Sequence, residues 1–310
     1  MTALSTCLSL ALLIPLASGE APDAALKQLE QRCTEGSATA CFEAGLAHDQ
    51  GTSEDAAVRA AERYQRACDG GDMRGCNSAG VCHRRGHGVT RNVTKALSLT
   101  RRACDAKLAV GCFNLGAMLA EGDGLPKEPT AAVVLFERAC TADYGPACTA
   151  AGATTLNLSN AISAAQAAKA QTYFNRGCAL RDGEGCYNLG QLSRQLDGPT
   201  AGALYAYRQA CTFGVPAGCS WQGLMLHRGE GSASGSPTKR AQKKGVRLMT
   251  RACEDGFHEG CFNAAIAYVK GDGVRKDHQA AGRLFTQACR GGVAQACALL
   301  ERQKRRKGTR

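Results

Sequence analysis

Small apolar residues recur three and four positions apart along most of the chain, with charged residues on the opposite positions. In "AAVRAAERYQRAC" (56–68) and "TAAVVLFERAC" (130–140), Ala dominates and the larger apolar residues fall at helical spacing. That is the pattern of an amphipathic helix, and no segment alternates convincingly enough to predict a strand. Two kinds of glycine interrupt the helices. Gly36, Gly71, Gly214, Gly256 and Gly292 each follow a cysteine by three residues, where a left-handed residue ends a helix. A second break reads "GHGV" (86–89), "GDGL" (122–125), "GEG" (229–231) or "GDGV" (271–274). The predicted unit is therefore helix, Gly-x-Gly loop, helix, short Gly turn, and the fold class is all-α.

The cysteines give this pattern its period. Sixteen of the 18 fall into pairs with seven residues between partners: Cys33/Cys41, Cys68/Cys76, Cys104/Cys112, Cys140/Cys148, Cys178/Cys186, Cys211/Cys219, Cys253/Cys261 and Cys289/Cys297. Successive first members lie 35, 36, 36, 38, 33, 42 and 36 residues apart, the mark of a stacked supersecondary repeat. The residue before each second cysteine is Gly or Ala, and Gly follows it by four in the first six units, with Ala265 in the seventh. Such positions suit close backbone approach.

On one continuous helix, eight residues would separate the paired Cα atoms by about 12 Å. A disulfide needs roughly 4.4–6.8 Å. A tight turn between them brings the two sulfurs face to face across the mouth of an αα-hairpin, so each pair is expected to clamp the end of one helix to the start of the next. Regular pairing on this scale points to an oxidising compartment. Structural zinc sites favour cysteines two to four apart, and no Cys-x-x-Cys occurs, so no metal is expected.

The leader agrees with export. "LSLALLIPLASGEA" (8–21) holds a short apolar run followed by small residues at Ala17 and Gly19. Residues 1–19 read as a signal peptide, although no Lys or Arg precedes the run. Nothing later in the sequence is apolar enough to span a bilayer. The net charge of +11 is partly local to the tail "ERQKRRKGTR" (301–310), where no aromatic is interleaved. A short tail of this kind is commonly solvated and disordered. Binding of an anionic surface through the tail stays open, whereas nucleic acid is disfavoured for an exported protein.

The paired cysteines and units such as "GCFNLGAMLAEGDGLPKEPTAAVVLFERAC" (111–140) resemble the Sel1-like repeat family, in particular its cysteine-rich secreted branch typified by the Helicobacter cysteine-rich proteins. The units from Cys148 and Cys186 lack Gly-x-Gly, and the unit from Cys219 has an enlarged loop, "GEGSASGSPTKR". The resemblance implies a right-handed α-solenoid of stacked TPR-like αα-hairpins over residues 20–300, about seven units. It also implies a concave face used for protein interactions and, in some members, penicillin binding or weak β-lactamase activity.

Candidate chemistry is sparse. A β-lactamase of the serine type would carry Ser-x-x-Lys with the lysine one helical turn on. The single match is Ser236-Pro-Thr-Lys239, in a Ser/Gly-rich loop with neither Ser-Asp-Asn nor Lys-Thr-Gly elsewhere. Cys82 stands outside the pairs beside His83, but it aligns with Ala47, Met118, Leu192, Met225 and Ala267 in other units. It therefore reads as a free thiol filling a core position. The six histidines do not recur at metal-ligand spacing. Two residues after the second cysteine stand Asn114, Asn188 and Asn263, with Trp221 at the equivalent place in the sixth unit. On an inner face, Asn would hydrogen-bond an extended peptide and Trp would anchor an apolar side chain; packed against an adjacent helix, they would serve only the fold. The reading favoured is a monomeric, periplasmic or secreted scaffold without a cofactor that binds a protein or peptide. The rival is an enzyme or binder acting on β-lactams or cell-wall peptides.

Overall fold

The computed structural model describes residues 22–232 and 235–308. The leader at 1–19 and Cys7 lie outside the described residues. Among the described residues all the regular structure is helical, with sixteen helices in two compact units that divide after Asn160.

The first unit holds α1 (Pro22–Thr34), α2 (Ala38–Asp49), α3 (Glu54–Asp69) and α4 (Met73–Arg85). It continues with α5 (Val93–Asp105), α6 (Ala109–Glu121), α7 (Pro129–Thr141) and α8 (Gly145–Leu156). In the second unit come α9 (Ala164–Ala179), α10 (Gly183–Asp197), α11 (Ala201–Thr212) and α12 (Pro216–Arg228). That unit ends with α13 (Lys239–Glu254), α14 (His258–Lys270), α15 (His278–Arg290) and α16 (Ala294–Gly308). Within each unit, every helix packs on the next one in sequence. The backbone of α16 runs on to Gly308, so the basic segment read as a solvated tail is largely helical.

Helix starts and stops follow local chemistry. Ser53, Asn92, Ser163, Thr200 and Thr238 each cap an odd-numbered helix by accepting a backbone N–H in the first turn. Such a cap satisfies one of the otherwise orphaned amides. The short turn after each odd helix passes through a left-handed residue. Gly71 has φ of 91° and Gly256 of 90°, but Lys107 (65°), Asp143 (59°) and Arg181 (63°) hold the same place in three hairpins. Sequence punctuation alone does not reveal those three.

Across every such turn a disulfide joins the odd helix to the even one, with Cα–Cα distances from 4.3 Å at Cys104–Cys112 to 4.7 Å at Cys289–Cys297. Minimal side chains permit the approach: a Cβ on Gly75 would stand 2.5 Å from the Ala67 Cβ.

The eight expected bridges form across the helical hairpins, and Cys76 and Cys261 show how closely two of them are packed. Both are fully buried, each inside the hydrophobic core of its own unit. The bridges Cys68–Cys76 and Cys253–Cys261 are present, at Cα–Cα distances of 4.4 and 4.6 Å. The physical reason for the burial is the packing around them. Cys76 lies with Tyr64, Ala67 and Ala79, and Cys261 with Ala265, Phe285 and Ala288. These two residues are therefore core elements that no partner can touch. The reading of Cys82 as a free thiol requires a correction. Its side chain is buried as expected, but its sulfur is disulfide-bonded, and a bonded sulfur supplies no thiolate for His83 to activate.

A second device recurs in alternate hairpins. The aromatic residue after the second cysteine meets the aromatic residue four before the next first cysteine: Phe42–Tyr64, Phe113–Phe136, Tyr187–Tyr207 and Phe262–Phe285, with centroids 5.7–6.0 Å apart. Room for the inner ring comes from glycine in three of the four cases, at Gly45, Gly116 and Gly190. Where α12 meets α13, glycines face each other instead: a Cβ on Gly223 would lie 2.6 Å from the Gly245 carbonyl oxygen. The core is thus distributed along each unit, with buried rings or thioethers such as Tyr64, Met118, Tyr207 and Met249 in most repeats.

Candidate functional site

The second unit gathers its polar aromatics around α10, α11 and α12. Tyr207 is fully buried, and Gly190 leaves its ring the necessary space. Trp221 stacks on it at 5.9 Å with 16° between the planes. Tyr187, half-buried, meets the same ring from α10 and shares a hydrogen bond with Trp221. Gln191 completes the network: its Nε2 donates to the Tyr187 hydroxyl at 3.0 Å, and the Tyr207 hydroxyl donates to its Oε1. The Arg194 guanidinium lies 4.2 Å from the Trp221 ring centroid, within cation–π range.

Electrostatics keep the phenols neutral. Burial pushes the Tyr207 hydroxyl up to about 12 despite the opposing influence of Arg194. Burial also raises Tyr187, reinforced by Glu184 and Glu259 and offset by its bonds to Trp221 and Gln191. At neutral pH the cluster therefore presents aromatic surface, two neutral phenols and one guanidinium. Aromatic residues and Arg are the side chains that most often carry binding energy at protein interfaces.

Asn188, Trp221 and Asn263 occupy corresponding places on α10, α12 and α14, all half-buried. Asn263 stands two residues beyond the buried Cys261, whose bridge to Cys253 fixes the start of α14 beneath it. Asn114 belongs to the other unit and is turned inward. It is 8% exposed, and its Nδ2 donates to Asn77 Oδ1 at 2.7 Å, so packing is part of its role. Asn77 itself follows Cys76 directly, and the two are buried together at the start of α4. The sequence reading missed Tyr187, Gln191, Arg194 and Tyr207. Their signal was the alternate aromatic after the second cysteine, visible only when alternate repeats are compared.

Ser236 and Lys239 are both exposed, but they do not share a helical turn. Ser236 precedes the Thr238 cap, and Lys239 is the first residue of α13. Among the described residues no group of three or more His, Cys, Asp or Glu is placed to hold a metal ion. Nor is any described helix long and apolar enough to cross a membrane.

Helical hairpins repeated at this period define a tandem αα-repeat protein. The Sel1 repeat model matches residues 38–72, 74–108, 109–144, 223–257 and 258–293, more than half of the chain, and the protein belongs to the Sel1 repeat family. Each matched repeat takes an even helix with the odd helix that follows, so the disulfides join one repeat to the next. The unmatched stretch includes the units from Cys148 and Cys186 that lack Gly-x-Gly.

Among solved structures, a Sel1 repeat protein from Oxalobacter formigenes is similar over 94% of this chain and 98% of its own, with TM-score 0.59 and 16% identity. The c5321 protective antigen of uropathogenic Escherichia coli, which displays an SLR fold, matches over 91% of this chain and 67% of its own at TM-score 0.58 and 21% identity. These likenesses establish the fold. No curated protein matches the sequence. Sel1 repeat proteins are generally protein-interaction scaffolds, and the eight disulfides between described residues suit an oxidising, extracytoplasmic setting.

Proposed function

We propose that the protein is an exported scaffold, periplasmic or secreted, that acts as a monomer and binds a protein or peptide partner. Recognition is assigned to the face of the second unit carrying Asn188, Trp221 and Asn263, taken as the concave face. Residues 1–19 serve as the signal peptide in this reading. The observation that carries it is the Tyr187–Trp221–Arg194 cluster, which combines aromatic surface with hydrogen-bonding groups on clamped helices. Half-buried amides at Asn188 and Asn263 would supply further donors and acceptors to an extended backbone. The β-lactam alternative gains no support from Ser236 and Lys239, which lie on opposite sides of a helix cap.

Site-specific photo-crosslinking in cells tests this function. A photoreactive residue at Asn188 or Asn263 should form a discrete protein adduct that disappears in the Trp221→Ala background. Val134, exposed on α7 of the first unit, should give none. Absence of an adduct from both Asn positions, or an equal adduct from Val134, would overturn the assignment.

A further inference from the structure

The net positive charge of the chain lies entirely in its second half. Residues 161–310 contain 23 Lys and Arg against 10 Asp and Glu, whereas residues 1–160 contain 15 against 17. Without the last ten residues the second half still has 17 against 9.

Helix α13 concentrates this excess. Lys239, Arg240, Lys243, Lys244, Arg247 and Arg251 are all exposed or partly exposed, and no acidic residue occurs in the helix before Glu254. Arg251 reaches Asp255 at 3.6 Å; among the described residues the other five make no ion pair. The placement works against the helix itself. Like charges three and four residues apart repel, and Lys239 and Arg240 sit in the first turn, where the helix dipole disfavours cations.

A groove of ≈ 690 Å³ runs along this face, lined by Arg240, Lys243, Lys244, Arg247 and Arg251 together with Leu248 and Glu254. Lys243 also borders a broader cleft of ≈ 1200 Å³, where Arg275 and Lys276 stand beside Tyr268 and Val274. Asp272 and Asp277 line that cleft too, but the Asp277 carboxylate already accepts the Gln279 and Ala280 amides as the cap of α15.

We propose that the α13 face and its adjoining cleft dock an acidic peptide segment of a partner protein. Charge complementarity sets the sign of the partner, and the apolar walls at Leu248, Tyr268 and Val274 favour a peptide over a purely charged polymer. No aromatic residue on α13 offers the stacking platform that single-stranded nucleic acid uses. From Arg240 to Arg251 the helix rises about 16 Å, the span of about five extended residues. Alternate side chains of an extended strand recur every ~6.6 Å, close to the helical pitch of ~5.4 Å along which the cations repeat. The partner class is taken from the scaffold reading, but the surface is separate from the Trp221 cluster.

Fluorescence anisotropy with the oxidised full chain tests the proposal, using a short labelled peptide of repeating Glu-Glu-Leu. The same peptide with Lys for Glu, a single-stranded oligonucleotide and vesicles containing anionic lipid serve as comparison probes. The acidic peptide should bind at low salt and weaken as salt screens the contact. K243E/R247E should weaken it about tenfold or more, and the milder K243Q/R247Q about threefold. Truncation after Leu300 and Trp221→Phe should leave its affinity within about twofold, a change of only ~0.4 kcal/mol. Loss on W221F would merge this surface with the aromatic site, whereas retained peptide binding alongside failed crosslinking at Asn188 and Asn263 would overturn that site alone. Absence of peptide binding, equal binding by K243E/R247E, loss on truncation, or tighter binding of the oligonucleotide or vesicles would each overturn the α13 assignment.

Discussion

The side-chain amide of Asn114 on α6 donates to Asn77 Oδ1 on α4 at 2.7 Å, linking two repeats across 37 residues of sequence. Both groups are buried, so removing one takes a buried hydrogen-bond partner from the other. Asn114→Ala should cost about 1–3 kcal/mol of unfolding free energy. The double variant Asn77→Ala/Asn114→Ala should cost less than the sum of the two single changes. Denaturant unfolding in a double-mutant cycle measures the coupling; strict additivity would show that the bond is energetically idle.

The left-handed turn residues give a pair of opposed outcomes. Gly71→Ala places a Cβ on a residue at φ 91° and should destabilise by about 1 kcal/mol. Lys107→Gly relieves a side chain at φ 65°, so it should be neutral or stabilising by up to about 1 kcal/mol once the added chain entropy is counted. Thermal denaturation of both variants checks the opposition.

Gly190→Ala connects packing to the aromatic cluster. Its new Cβ would lie 2.7 Å from the Tyr207 ring, an overpacking expected to cost about 1–3 kcal/mol. Tyr207 supports Trp221, the sole tryptophan of the chain. The emission maximum of Trp221 should therefore shift in the folded variant, and an unchanged spectrum would show that the stack does not transmit the displacement.

Acid sensitivity should trace in part to Glu30, which joins α1 to its neighbours. Burial works to raise its pKa, but hydrogen bonds from His48 and Arg63 outweigh that influence and leave it below the ordinary value. A carboxyl whose folded pKa lies below its unfolded pKa contributes stability above the unfolded value, and that contribution fades as pH falls through the folded one. Glu30→Gln should lower stability at pH 7 and flatten the loss seen below about pH 4.3. Parallel slopes in the two proteins would contradict this origin.

Much of the architecture was legible because its causes are local. A left-handed glycine, a Gly-x-Gly break and a cysteine pair every 33 to 42 residues each act within one turn or hairpin, and each leaves a mark in the sequence. Lys107, Asp143 and Arg181 escaped notice because the same left-handed turn is made there by residues other than glycine. Spacing likewise named Cys76 and Cys261 as bridge partners without revealing that helix packing closes over both. The aromatic cluster was half visible. Trp221 stood out as a lone tryptophan, but its partners Tyr187, Arg194 and Tyr207 lie 14 to 34 residues earlier and meet it only through helix packing. Asn114 and Asn263 looked alike by position, yet packing turned Asn114 onto Asn77. Position within a repeat does not determine which residue faces outward.

The bridges themselves admit an energetic test. Cys68→Ala/Cys76→Ala removes a link closing so short a loop that the chain-entropy model assigns it about 2.5 kcal/mol. Loss of far less would mean that helix packing alone fixes the hairpin.

Non-reducing peptide mapping of the protein recovered from its native compartment bears most directly on the account as a whole. Eight links, each between cysteines eight positions apart as in Cys33–Cys41 and Cys289–Cys297, would support clamped repeats that mature under oxidising conditions. Free thiols at these positions, or links between distant hairpins, would contradict both the clamp and the compartment.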